Sequence, residues 1–197
     1  NFSADISTEK VLASSSARAK IVKQLMTSAK RTGLDGINVD FESMTEEAVP
    51  HFLEFLRELS IECRERGLTL SVDNPPPQNY TKYYNRKEQA SVVDYVVIMG
   101  YDEHYNGSEE AGSVASLPWV IEGVEDTLKE VPAEKIIHGI PLYTRLWKTS
   151  AGIVTSEAIS MPQAQEVIEV HKVETYWNKE VHQNYGKYEE GNDVYEI

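Results

Sequence analysis

From Gly36 to Glu42 apolar residues alternate with polar ones, in the run Leu34-Asp35-Gly36-Ile37-Asn38-Val39-Asp40-Phe41-Glu42. A period of two predicts a β-strand. Ile37, Val39 and Phe41 then share one face, and Asn38, Asp40 and Glu42 form a column on the other, spaced roughly 6 to 7 Å. A solvent-facing strand would give the same alternation. Here, however, the run starts from a Gly-bearing turn after one helical stretch and leads into another, as in a βα-unit of a parallel sheet. Strands of such sheets are covered on both faces, so the column is expected to point into an interior or a cleft mouth. Carboxylates placed there are costly unless they have partners or a function.

The flanking patterns fit this frame. Asn1-Phe2-Ser3 reads as the end of a strand, and Ser14 to Ser16 offer caps for a helix to about Arg31 that Gly33 stops. Thr45 is expected to cap a second helix, with Val49, Phe52, Leu53, Leu56 and Cys63 at helical spacing up to Gly67. Leu68–Asp73 reads as a strand halted by Asn74-Pro75-Pro76-Pro77, followed by a loop with Tyr80, Tyr83 and Tyr84 that could stack on sugars or simply pack. Val92–Met99 is a continuous β-branched run, expected as a doubly buried strand, and it delivers Gly100-Tyr101-Asp102-Glu103-His104. Ser116 and Pro118 mark a further helix with Val120, Val124 and Leu128 on one stripe, and Lys135–Ile140 is another strand, ending at Pro141–Trp147. Beyond Trp147, Ser160 with Gln163 fits a capping box, and short strands are expected over Val173–Trp177 and Tyr185–Ile197, turning at Glu190-Gly191-Asn192. The expected domains are a barrel portion over 1–148 and a small α+β insertion over 149–197.

Composition narrows the partners. Thirty-two acidic against nineteen basic residues give a net charge of −13, which repels phosphate backbones and anionic membrane surfaces and favours uncharged ligands. Neither nucleic acid nor membrane is an expected partner. With Cys63 alone no intrachain disulfide can form, and its helical setting predicts a small buried hydrophobe. The five histidines lack ligand spacing, so no metal site and no cofactor are expected.

The run Asp35-Gly36-Ile37-Asn38-Val39-Asp40-Phe41-Glu42 resembles the D-x-x-D-x-D-x-E signature of glycoside hydrolase family 18, with Asn38 where the family usually has its middle Asp. Asn at that position resembles bacterial spore-cortex and peptidoglycan N-acetylglucosaminidases of the family. Met99-Gly100-Tyr101-Asp102 is similar to the family's M-x-Y-D segment, and Pro141-Leu142-Tyr143-Thr144-Arg145-Leu146-Trp147 to the segment after its seventh strand. The resemblance implies an α/β fold, a (β/α)8 TIM barrel whose active site lies at the carboxyl ends of the strands. About 250 residues make a full barrel, whereas this chain supplies strands three to seven. A partial, open barrel is therefore expected.

Two carboxylates two residues apart on one strand suit an acid and its helper better than an acid and an opposed nucleophile, which must flank the scissile bond. The resemblance implies that the substrate's own N-acetyl oxygen is the nucleophile, the exception recognised for this family. On that basis Glu42 is the acid, Asp40 holds the acetamide N–H and Tyr101 bonds its carbonyl. Asp102 and Arg145 are implied to bind sugar hydroxyls, Tyr143 and Trp147 to add stacking surface, and Asp35, Asn38 and Met99 to line or support the column. An acid working near neutral pH needs a raised pKa, which burial beside Asp40 would supply. An amide at Asn38 cannot share a proton as the usual Asp can.

The expected activity is retaining hydrolysis of β-1,4-linked N-acetylglucosamine glycans, chitin or peptidoglycan, outside the cell, at the cell wall or the spore. A carbohydrate-binding, lectin-like relative without turnover is the alternative. A Mg²⁺ site on Asp40, Glu42 and Asp102 is a third reading, weakened by the lack of a Gly-rich phosphate loop. Open barrel edges are also expected to favour self-association and little hydrolysis by the 197-residue chain alone.

Overall fold

A computed structural model of the chain describes residues 7–197, so the strand end expected at Asn1-Phe2-Ser3 lies outside the described residues. Two compact units are present, one comprising the chain up to Met99 with Glu125–His138, the other Gly100–Val124 with Gly139–Ile197.

The first unit is built on a sheet in the order β1 (Gly36–Val39), β2 (Thr69–Asn74), β3 (Tyr95–Met99), β4 (Ile136–Gly139). β1 runs parallel to β2, and β2 to β3. Helices supply the apolar cover: α1 (Thr8–Ala13), α2 (Ser15–Thr32), α3 (Val49–Glu65) and α4 (Arg86–Val92). Ser14 caps α2 through Oγ, and Gly33 ends it in the left-handed region. Thr45 makes no side-chain cap; a 3₁₀ turn over Glu46–Ala48 leads into α3, with Pro50 fixing its first turn. Alternate strand residues Val39, Leu70, Val72, Val96 and Ile98 are buried with Phe52, Phe55, Leu56, Leu59 and Cys63 from α3 in one core. Burial pushes the Cys63 thiol pKa up, consistent with a packed hydrophobe.

Two expectations are corrected here. Val92 and Val93 do not belong to the strand: Val92 closes α4, and Lys135 Nζ donates to the carbonyls of Ala90 (2.6 Å) and Val93 (2.8 Å), holding that helix end against the β-branched pattern. The tyrosine loop is a 3₁₀ helix, Asn79–Tyr84, in which Tyr84 is buried and the Tyr83 hydroxyl donates to the Met44 carbonyl at 2.9 Å. Packing, not display, accounts for those two rings. The described residues close no barrel; they form this parallel-type sheet and, elsewhere in the chain, a second, antiparallel one.

A buried polar cluster fixes the segment after β2. Asn74 and Gln89 exchange hydrogen bonds of 2.7 and 3.1 Å, and Gln89 Nε2 also donates to the Tyr84 carbonyl at 2.6 Å. The fully buried Arg86 donates to the carbonyls of Pro75 (2.8 Å) and Thr81 (3.2 Å). Pro75 to Pro77 have no N–H to offer, so the loop is held by its carbonyls.

Helix α5 (Leu117–Leu128) leaves Leu128 exposed. The second unit holds the antiparallel sheet, in the order β6 (Ile153–Ser160), β5 (Tyr143–Ser150), β9 (Asp193–Glu196), β8 (Gln183–Glu190), β7 (Thr175–Asn178). Ala151 and Gly152, both at positive φ, form the two-residue turn of the β5–β6 hairpin. The expected capping box of Ser160 and Gln163 opens α6 (Met161–Val170), and Gly191 turns β8 into β9.

Candidate active site

In the first unit, β1 is shorter than its sequence pattern. Pairing with β2 ends at Val39↔Val72, and Asp40, Phe41 and Glu42 follow as irregular chain, with Ser43 at φ 52°. The alternation outlasts the strand nevertheless. Phe41 turns inward, edge-on to Phe52 and Phe55 with ring centroids 5.6 and 6.0 Å away, and Asp40 and Glu42 are exposed beside it. Gly36 starts the strand because a Cβ there would lie 2.6 Å from the Thr69 carbonyl oxygen.

The column, expected to point into an interior or a cleft mouth, is not enclosed among the described residues: Asn38, Asp40 and Glu42 are all exposed, because the helices of this unit cover the Val39 and Val72 face and leave the Asn38 and Ser71 face open. On that open face Asn38 Nδ2 donates to Ser71 Oγ at 2.9 Å and to Asp73 Oδ1 at 2.8 Å. Asp73 is half-buried, and its carboxyl pKa is raised by burial, with Asp40 acting in the same direction and the Asn38 hydrogen bond opposing both. Met99 lies half-buried at the end of β3, and Asp35 is exposed, its carbonyl accepting from Thr69 N–H at 3.0 Å.

The other candidate residues belong to the second unit. Asp102 sits at φ 62°, in the left-handed region that a non-glycine residue seldom adopts. Its Oδ1 accepts the Tyr143 hydroxyl at 2.6 Å, and the Tyr101 and Tyr143 rings meet edge to face at 6.4 Å. Burial, then the Asp102 carboxylate, pushes the Tyr143 phenol pKa far up, so it remains a donor throughout the neutral range. Arg145 Nη1 donates to Ser156 Oγ at 2.9 Å across the β5–β6 pair, while its buried Nε has no hydrogen-bond partner among the described residues. Trp147 does not present the stacking surface expected of it: it is 3% exposed, its indole N–H donating to the Gly112 carbonyl at 3.0 Å. Gly112 is glycine because any Cβ would strike the His104 ring at 2.5 Å.

Sequence reasoning missed Asp73. The signal was present, since Thr69-Leu70-Ser71-Val72-Asp73 alternates as β1 does and sets Ser71 and Asp73 on the face of Asn38. Among the described residues no group of three His, Cys, Asp or Glu side chains is placed to hold a metal ion, and no helix is long and apolar enough to cross a membrane.

The family profile "Glycosyl hydrolases family 18" matches residues 5–195. The chain belongs to glycoside hydrolase family 18. It is 28% identical over 185 residues to the uncharacterized glycosylase YvbX of Bacillus subtilis (strain 168), covering 91% of this chain and 53% of that protein. It is 29% identical over 154 residues to a cortical fragment-lytic enzyme of Bacillus anthracis, covering 75% of this chain and 35% of the enzyme. The chain thus spans about a third to a half of the length of these relatives. Its structure is similar over its whole length to 68% of the crystal structure of the putative sporulation-specific glycosylase ydhD from Bacillus subtilis, with a TM-score of 0.89 and 27% identity.

Proposed function

We propose that this chain carries the catalytic machinery of a retaining, substrate-assisted hydrolase of β-1,4-linked N-acetylglucosamine glycans. The observation that supports it best is the column Asn38, Asp40, Glu42, which follows a parallel strand onto an open sheet face in a family 18 chain. In this reading the acetamide oxygen of the bound sugar attacks its own anomeric carbon as the glycosidic C–O bond breaks. Glu42 gives its proton to the leaving oxygen. Water then opens the cyclic intermediate at the same carbon, and the Glu42 carboxylate takes back a proton from it. Asp40 accepts the acetamide N–H and stabilises the positive intermediate, and Tyr101 donates to the acetamide carbonyl. Asp102 and Arg145 bind sugar hydroxyls, with Tyr143 presenting Asp102.

Peptidoglycan, as in the spore cortex, is the favoured glycan. Asn38 in the signature and the similarity to a cortical fragment-lytic enzyme support it. The corresponding location is the cell wall or spore, outside the cytoplasm, and the barrel to which the strands belong is proposed to be of the (β/α)8 type. One observation favours a second reading, a lectin-like relative that binds without turnover: Glu42 is exposed, not enclosed in the water-poor surroundings that acid catalysis draws on. Matched substrates with and without the N-acetyl group separate the two. Hydrolysis confined to the N-acetylated glycan supports the proposal; binding of both with cleavage of neither supports the lectin.

A further inference from the structure

Asp73 has no role in the mechanism above, yet its position gives it one. β1 and β2 pair in parallel with Asn38 opposite Ser71 and Val39 opposite Val72, and Asp40 follows directly beyond the last pair as Asp73 does on β2. Two carboxylates close enough to act on one another disfavour carrying charge together. On the same face β3 adds Tyr95 and Val97 and no cation, and Asp40, just past the end of β1, acts on the Asp73 carboxyl as a like charge.

Asn38 explains why this arrangement is tolerated. Its amide nitrogen spends its hydrogens on Ser71 Oγ and Asp73 Oδ1. A carboxyl at position 38 would instead stand within hydrogen-bond distance of Asp73 and would compete with Asp40 for the proton that Asp73 holds. An amide at 38 and an acid at 73 therefore belong together, and the acid missing from the column is supplied by the next strand.

We propose that Asp73 is a positioning residue for Asp40: the two carboxyl groups hold one proton between them, Asp73 takes it up, and Asp40 is left as the anion that grips the substrate's acetamide. The raised pKa of Asp73, from burial and then from Asp40 against the opposing Asn38 bond, agrees with this. No proton is consumed, since the pair returns to the same state after each turnover. The inference rests on the proposed function only where it assigns Asp40 to the acetamide.

Three variants and one titration test it. Asp73→Asn is expected to lower kcat about tenfold or more with little change in KM and to move a limb of the kcat–pH profile. The exchange Asn38→Asp with Asp73→Asn, which returns the acid to the column, should recover most of that loss, whereas Asn38→Asp alone should not match the wild type. By NMR, the carboxyl carbon of Asp73 should titrate above the ordinary Asp range, and Asp40→Asn should bring its midpoint down. Wild-type kcat and pH profile in a folded Asp73→Asn protein, an exchange no better than its single variants, or a midpoint indifferent to Asp40 would each overturn the inference. Glu42→Gln assayed alongside separates the two claims. If it abolishes hydrolysis while Asp73→Asn is silent, only the role of Asp73 fails; if it is silent too, the catalytic reading fails and the titration alone decides whether the carboxyl pair is coupled.

Discussion

The Tyr143 hydroxyl donates to Asp102 Oδ1 at 2.6 Å, and it does so to a residue held at φ 62°. Asp102 is thus fixed at both ends, by its backbone and by a phenol that burial and the carboxylate keep protonated. Tyr143→Phe removes the donor and leaves the fold's apolar contacts in place. A hydrogen bond to a charged group contributes about 1.5 to 3 kcal/mol, so KM for a chitooligosaccharide should rise about tenfold or more, with a smaller effect on kcat. An unchanged KM would remove Asp102 from sugar binding.

The same phenol predicts an alkaline signature, shared with Tyr185, whose pKa is also raised first by burial and then by its hydrogen bond to Glu196. In the unfolded chain both release protons near pH 10; in the folded chain they keep them to higher pH. The folded state then binds more protons than the unfolded one, so stability is level below about pH 10 and falls as pH rises beyond it. Urea unfolding midpoints measured across the alkaline range should decline there, and the decline should be smaller in a Tyr143→Phe, Tyr185→Phe protein.

Arg86 offers a test of what shapes the segment after β2. Its guanidinium is fully buried, burial lowers its pKa, and Glu130 approaches at 3.6 Å as partial compensation. Arg86→Met fills much of the volume but leaves the Pro75 and Thr81 carbonyls without a donor. Breaking such a buried arrangement costs about 3 to 5 kcal/mol, large against a typical net stability of 5 to 15 kcal/mol. Denaturant unfolding should show that loss; a change under about 1 kcal/mol would mean that the loop carries itself.

Ile137, Ile140 and Leu142, at 45, 68 and 80% exposure, follow one another on or just past β4, one of the two outer strands of the sheet in the described residues. Exposed apolar side chains beside an outer strand favour association. The 197-residue chain is expected to show a scattering mass that rises with concentration, and Ile140→Lys with Leu142→Lys should suppress the rise. A monomer at all concentrations would contradict this.

Much of the fold was readable where one physical rule dominated. Gly33, Gly67 and Gly191 stop or turn the chain as their conformational freedom predicts, and Ser14 and Ser160 cap as their hydroxyls predict. Val92 and Val93 were misread because β-branched residues fit a strand and a helix end alike, and what decides is Lys135, far along the chain. The β5–β6 hairpin was hidden for a similar reason, as Ala151 adopts a positive φ that its side chain does not announce. In the site, the alternation separated Asn38, Asp40 and Glu42 from the inward Val39 and Phe41, but exposure depends on what covers the polar side, which no local pattern encodes. Trp147 was assigned to ligand stacking by motif, and its burial follows from a hydrogen bond to Gly112 thirty-five residues earlier.

Glu42→Gln is the most direct measurement of the central claim. The substitution keeps size and hydrogen-bonding shape while removing the proton that the mechanism requires. Turnover of a chromogenic chitooligosaccharide by the protein is predicted to fall by about 10² to 10⁴, with calorimetric affinity for the uncleaved oligosaccharide retained. Hydrolysis at the wild-type rate in the folded variant would contradict the account, because no acid at position 42 would then be needed.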